Sequence, residues 1–178
     1  MEGAEDAAGA EEAAGAVDGA GPIGLVARSD EEAMRLALAQ ARLALTHHDV
    51  PVGAVALAAG TVVGVGRNER ERRADPTAHA ELLAIRAAAD ALGRWRLPDV
   101  TIVATLEPCL MCAGALVAAR VERIVFGAAD PRAGACGTLY NVCADPRLNH
   151  EVRVTPGVLD QDAAALLQEF FAARRQGA

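Results

Sequence analysis

Two short motifs constrain this chain more than anything else in it: His79-Ala80-Glu81 and Pro108-Cys109-Leu110-Met111-Cys112. One His and two Cys supply three zinc-competent ligands, and three protein ligands leave a tetrahedral ion one open position, as in a reactive centre. Helix-like apolar runs follow both motifs, over residues 82–92 and 113–119, so both motifs are expected at helix N-termini. Cys109 and Cys112 are three apart and share a helix face, so they can grip one ion together. The positive helix end and the ion would both favour their thiolate forms. A closed structural centre needs a fourth protein ligand, for which Cys136, Cys143, His47, His48 and His150 remain. Cys136 and Cys143 have no metal-binding spacing and read as small buried residues. Adjacent residues on a helix point about 100° apart, so His47-His48 reads as a surface cap of a helix end and not as a ligand pair.

A chain of 178 residues suits one domain with a sizeable core. Aromatic residues make up 3%, so that core must come from Ala, Val, Leu and Ile. All 17 basic residues are Arg. Of the net charge of −7, six acids and no base lie within residues 1–24, which leaves the rest near neutral. A near-neutral domain can still hold RNA through a local Arg patch, because phosphate contacts are local. The acidic N-terminus has no secretory apolar segment, and no run approaches the roughly 18–20 apolar residues of a membrane span. Free thiols or metal ligands in a reducing cytoplasm are therefore the expected state of the four cysteines.

Residues 1–24, rich in Ala, Gly and acids, are expected to be a disordered tail, with residues 25–178 as the domain. Ser29 or Asp30 should cap a helix to about Thr46, with Met34, Leu38, Ala41 and Leu45 on one stripe. Residues 50–57 and 61–67 read as a hairpin around Ala59-Gly60. Asn68 then leads into a polar loop with Arg70, Arg72 and Arg73, either solvated or facing phosphates. Further strands are expected over residues 100–105, 123–126 and 152–155, with a long irregular stretch over 128–150. Such stretches inside compact domains tend to be functional. A last helix over 160–175 places Ala163, Leu166, Leu167, Phe170 and Phe171 on one face, and at least one Phe is expected in the core. Strands alternating with helices after a hairpin imply a layered α/β/α domain.

His-x-Glu followed by Pro-Cys-x-x-Cys is the general signature of zinc-dependent nucleobase deaminases. Asp75-Pro76-Thr77-Ala78-His79-Ala80-Glu81, Thr105-Leu106-Glu107-Pro108-Cys109, Met111-Cys112-Ala113-Gly114-Ala115 and Phe126-Gly127-Ala128 together resemble the bacterial tRNA-specific adenosine deaminases, over residues from about 34 to 175. The resemblance implies the three-layer α/β/α cytidine-deaminase-like fold with a five-stranded mixed sheet. It also implies one Zn2+ per subunit on His79, Cys109 and Cys112, and a homodimer that converts the wobble adenosine of a tRNA anticodon stem-loop to inosine. Two thiolates blunt the acidity of the metal, so a base is needed at neutral pH, and Glu81 fits. It would move a proton from the attacking water to N1 of adenine, water adding at C6, and then carry a proton to the departing amine. Asn68, Ala80, Asp130, Phe171 and Arg174 stand where the family binds its substrate. Other readings are a deaminase of a free base or nucleoside, such as guanine, cytosine or cytidine, and an RNA-binding protein without turnover. Glu81 argues against the latter.

Overall fold

The apolar runs in the middle of the chain become the strands of one sheet, and the runs with helical spacing cover its two faces. The structure is a computed structural model that describes residues 21–176. β1 (Gly53–Ala58) and β2 (Thr61–Arg67) form the expected antiparallel hairpin. Its turn residues Ala59 and Gly60 have φ of 48° and 80°, the sign that two-residue hairpin turns require for the strands to keep their twist. β1 also pairs antiparallel with β3 (Val100–Leu106). β3, β4 (Arg123–Ala128) and β5 (Arg153–Thr155) run parallel. The order β2-β1-β3-β4-β5 is thus a five-stranded mixed sheet, as expected. The first strand begins at Gly53 and not at residue 50. Pro51 has no N–H to give a ladder, and the Val52 N–H turns back to the Val50 carbonyl at 2.8 Å.

α1 (Asp30–Ala44) starts at Ser29, whose hydroxyl accepts from the Glu32 N–H at 3.2 Å. With α5 (Asp160–Gln176) it covers one face, where Met34, Leu38 and Ala163 share a core with Val55, Val103 and Val125. α3 (Ala80–Leu92) and α4 (Leu110–Ala118) cover the other, where Ala84, Ile85, Ala88 and Leu116 share a core with Ala54, Ile102 and Ile124. This is the three-layer α/β/α arrangement. Small side chains let the layers approach closely. A Cβ added at Gly66 of β2 would lie 2.0 Å from the Ala80 carbonyl oxygen of α3.

Three local expectations change. The Arg run after Asn68 is a helical turn, α2 (Arg70–Arg73), because the buried Asp49 carboxylate accepts from the Glu71 N–H at 2.8 Å and the Arg72 N–H at 3.2 Å. A cap supplied from another part of the chain leaves no local signature of its own. The apolar face of α5 buries only Ala163. Phe170 is half-buried and Phe171 is 44% exposed, with their rings edge to face at 5.3 Å, so neither enters the core. The end of α5 instead reaches the end of α1, where Arg174 donates to the His48 carbonyl at 3.0 Å. Of the expected tail, residues 1–20 lie outside the described residues. Residues 21–24 run beside β2, and the Gly24 N–H donates to the Val62 carbonyl at 2.9 Å.

Candidate active site

Both motifs do sit at helix starts. His79 is the N-cap of α3 and Cys109 the N-cap of α4, each with extended backbone. Their carbonyls accept the first helical bonds, from Leu83 at 3.0 Å and Ala113 at 2.8 Å. The turn into His79 is set by Asp75, which accepts from both the N–H and the hydroxyl of Thr77, at 2.8 and 2.7 Å. Cys112 lies one turn into α4, so its thiol shares the face of Cys109.

His79 Nδ1 lies 3.7 Å from Cys109 Sγ and 3.6 Å from Cys112 Sγ, and all three ligand atoms fall within 4.8 Å of one another. Zinc with Zn–S of about 2.3 Å and Zn–N of about 2.0–2.1 Å at tetrahedral angles has N···S edges of roughly 3.5–3.6 Å. Both N···S edges therefore lie close to those of that ion. Among the described residues no other group of His, Cys, Asp and Glu fits a metal ion in this way. His47 sits in a surface turn and His48 is exposed, as a helix-end cap should be. Cys136 and Cys143 are buried with Sγ atoms 3.5 Å apart, also as expected.

Hydrogen bonds from Cys112 and His79 bring the Cys109 thiol down to about 3 despite its burial. The Cys112 thiol, which donates to Cys109 and is itself buried, is pushed up. The bond to Cys109 raises the His79 imidazole against its burial. Glu81, in the first turn of α3, is 4% exposed. Its burial raises the carboxyl above its usual 4.5, against a backbone hydrogen bond and the nearby His79. A carboxyl held ready to take and return a proton beside a metal site suits general acid–base work.

Asn68 follows β2 and is 7% exposed. Its amide nitrogen donates to the Val50 carbonyl at 3.1 Å, while its buried Oδ1 has no partner among the described residues. An unpaired buried acceptor is costly unless something completes it. Ala80 is the buried first residue of α3. The Asp130 side chain is committed to its own turn and accepts from Arg132 N–H at 2.8 Å and Ala133 N–H at 3.2 Å. The Arg174 guanidinium lies 4.9 Å over the Phe170 ring. The structure thus gathers His79, Ala80, Glu81, Cys109 and Cys112 into one centre. Asp130 sits in a flanking turn, and Phe171 and Arg174 sit on α5.

Besides Asp49, two further buried acids were not singled out from the sequence. Glu69, 3% exposed, pairs with Arg67 at 3.1 Å and with Arg72 at 2.9 Å, and also binds Arg73. The spacing from Glu69 to Arg72 and Arg73, three and four residues, is a readable helical signal. Two members of the Arg run are therefore charge-paired and not free. Glu107, 2% exposed, accepts backbone N–H bonds from Asp130, Cys136 and Thr138. No spacing rule connects those residues.

A model of the MafB19-like deaminase family matches residues 28–175. The tRNA-specific adenosine deaminase of Bacillus subtilis strain 168 is 45% identical over 142 residues, 80% of this chain and 88% of that protein. The tRNA-specific adenosine deaminase of Haemophilus influenzae is 43% identical over 148 residues, 83% of this chain and 86% of that protein. A solved structure from studies of A-to-I editing by tRNA:A34 deaminases at the wobble position of transfer RNA superposes with TM-score 0.73 at 40% identity, over 76% of this chain and 98% of that one. A guanine deaminase from Nitrosomonas europaea shares the fold at TM-score 0.72 with 26% identity, over 85% of this chain and 90% of that one. On a closed His-Cys-Cys triangle, a buried glutamate beside it and these matches, the chain belongs to the tRNA-specific adenosine deaminase family.

Proposed function

We propose that this protein hydrolyses adenosine to inosine at the wobble position of a tRNA anticodon, with Zn2+ held by His79, Cys109 and Cys112. The observation that carries the reading is the ligand triangle, whose 3.6 and 3.7 Å edges match tetrahedral zinc and whose three donors leave one position open. When bound, zinc supplies the Lewis acidity that brings a water towards ionisation at neutral pH. Glu81 would do the proton work: its carboxylate would take a proton from the attacking water and deliver it to N1 of the adenine, then take the proton of the new C6 hydroxyl and pass it to the amine, which would leave as ammonia as C6=O forms. Asn68 offers its unpaired Oδ1 to a donor on the nucleoside. An anticodon loop presents its bases unpaired, so drawing one into the site costs little beyond unstacking. Phe171 and Arg174 on the exposed end of α5 are suited to stacking on the loop and contacting its phosphates. Asp130 acts through the turn it caps.

The active form in this reading is a homodimer in the cytoplasm. Exposed Leu110, Leu139, Tyr140 and Leu148, which include the first residue of α4 and the loop beside it, support a partner surface. Four free cysteines suit a reducing compartment, and among the described residues no helix is long and apolar enough to cross a membrane.

The test is ammonia release from the zinc-loaded protein on an anticodon stem-loop with wobble adenosine, set against free guanine, cytosine, adenosine and cytidine. Inosine at one position of the stem-loop only is the expected result. Turnover of a free base alone would replace the assignment with the second reading, which the likeness to a guanine deaminase at 26% identity keeps in view. Glu81→Ala should keep its zinc and lose about 10²–10⁴-fold in kcat. Activity within a few fold of the wild type would remove Glu81 from the mechanism.

A further inference from the structure

We propose that Glu107 is a positioning residue whose buried carboxylate ties the loop of residues 130–138 to the Cys109 end of the metal site and so sets where substrate is held. Oε1 accepts from the N–H groups of Cys136 and Thr138, both at 3.0 Å. Oε2 accepts from the Asp130 N–H at 3.1 Å and from the Thr138 hydroxyl. A carboxylate has about four acceptor sites, so these four donors fill it and leave nothing for zinc or substrate. Glu107 therefore acts through the loop and not on the reacting atoms.

The loop needs such a template. Between β4 and β5 the chain forms neither helix nor strand, only isolated bridges that join Gly134 to Cys109 and Asn141 to Cys136. Backbone N–H groups of an irregular loop must find acceptors, and here one side chain provides three of them. The wrap is tight: a Cβ at Gly134 would lie 2.3 Å from Glu107 Oε2. The same loop touches the metal-ligand turn directly, since the Ala135 N–H donates to the Pro108 carbonyl at 2.8 Å. Pro108 and Glu107 immediately precede Cys109. One carboxylate thus holds both sides of the seam where the zinc ligand turn meets the loop that flanks it. The Leu139–Tyr140 tip, exposed at 51% and 53%, is folded back onto the Gly134 carbonyl and is carried by the same tie.

The kinetic part of this inference rests on the proposed deaminase reading, and the structural part does not. Amide hydrogen exchange and steady-state kinetics on Glu107→Gln test both. Gln keeps the size but turns an N–H2 group towards the donors. Gln keeps one oxygen, so exchange at the Asp130 N–H or at the Cys136 and Thr138 N–H pair, whichever faces the new N–H2 group, should speed up by roughly tenfold or more as it loses its buried acceptor. Zinc content should stay at the wild-type level, while KM for the stem-loop rises about tenfold and kcat moves by less than about threefold. Should Glu107→Gln not fold, Thr138→Val removes one donor from Oε2 and should shift the same two readouts in the same direction by less. A lower Tm with wild-type exchange and wild-type KM would mean a merely structural role and overturn the proposal. If the wild type does not process the stem-loop, the functional reading fails while exchange still decides the role of Glu107.

Discussion

Asn68 shows what one buried atom can imply. Its Oδ1 has no partner among the described residues, while its amide nitrogen anchors to Val50. The side chain is therefore held in place with an acceptor to spare. Asn68→Ala should lower kcat/KM for the stem-loop by about 1–3 kcal/mol of transition-state binding, roughly 5- to 150-fold, with little loss of fold. Steady-state kinetics beside a thermal melt check it, and an unchanged kcat/KM would leave Asn68 a plain turn residue. At this scale the candidate metal ligands were readable because ligand chemistry demands particular residue types at particular spacings. The role of Glu107 was not, since its donors Asp130, Cys136 and Thr138 are brought to it only by the tertiary fold.

Elements place these residues, and their spacing here depends on small side chains. α3 lies so close to β2 that a Cβ at Gly66 would meet the Ala80 carbonyl at 2.0 Å and the Ala84 nitrogen at 2.8 Å. Gly66→Ala should push the start of α3 outwards, cost about 1–3 kcal/mol of stability and weaken zinc binding by moving His79. Melts with competitive chelator titration read both effects, and a variant with wild-type zinc affinity would uncouple the helix position from the site. α2 is held by charge. Burial pushes the Glu69 carboxyl up, but the bond to Arg73 and the charges of Arg73, Arg67 and Arg72 pull it further down, to a balance below the usual 4.5. A carboxyl with a depressed folded value stabilises fully above its unfolded value and loses that contribution as pH falls through the folded one. The stability gap between wild type and Glu69→Gln should therefore be widest near neutral pH and close below about 4.5. Urea midpoints across pH check this, and a constant gap would put the effect down to packing. Helix and strand identities were legible from periodicity along most of the chain. α2 escaped because its cap, Asp49, comes from a distant part of the chain, and the Phe pair of α5 misled because periodicity marks a face without saying whether the core extends beneath it.

The metal should bind the whole fold and not only its centre. His79 opens α3 and Cys109 opens α4, both helices of one layer, so an ion held by both couples them. Such a ligand favours the folded state by mass action, by about 4 kcal/mol at a thousandfold excess over its dissociation constant. Stripping zinc with a chelator should lower Tm by several degrees, and restoring zinc should return it. Equal melts with and without the ion would mean that the triangle does not bind it. The sequence by itself determined the chemistry and the layering. Metal ligation requires rare residue types at short spacings, and the alternation of periods two and 3.6 leaves few ways to bury both faces of a sheet. Only the tertiary structure decided which polar groups meet. It brought Glu107 under the loop of residues 130–138, gave α2 its cap from Asp49, left Asn68 Oδ1 open and kept both Phe rings out of the core. Each of these depends on distances between residues far apart in the chain, set by how closely the layers pack, and local pattern carries no record of such distances.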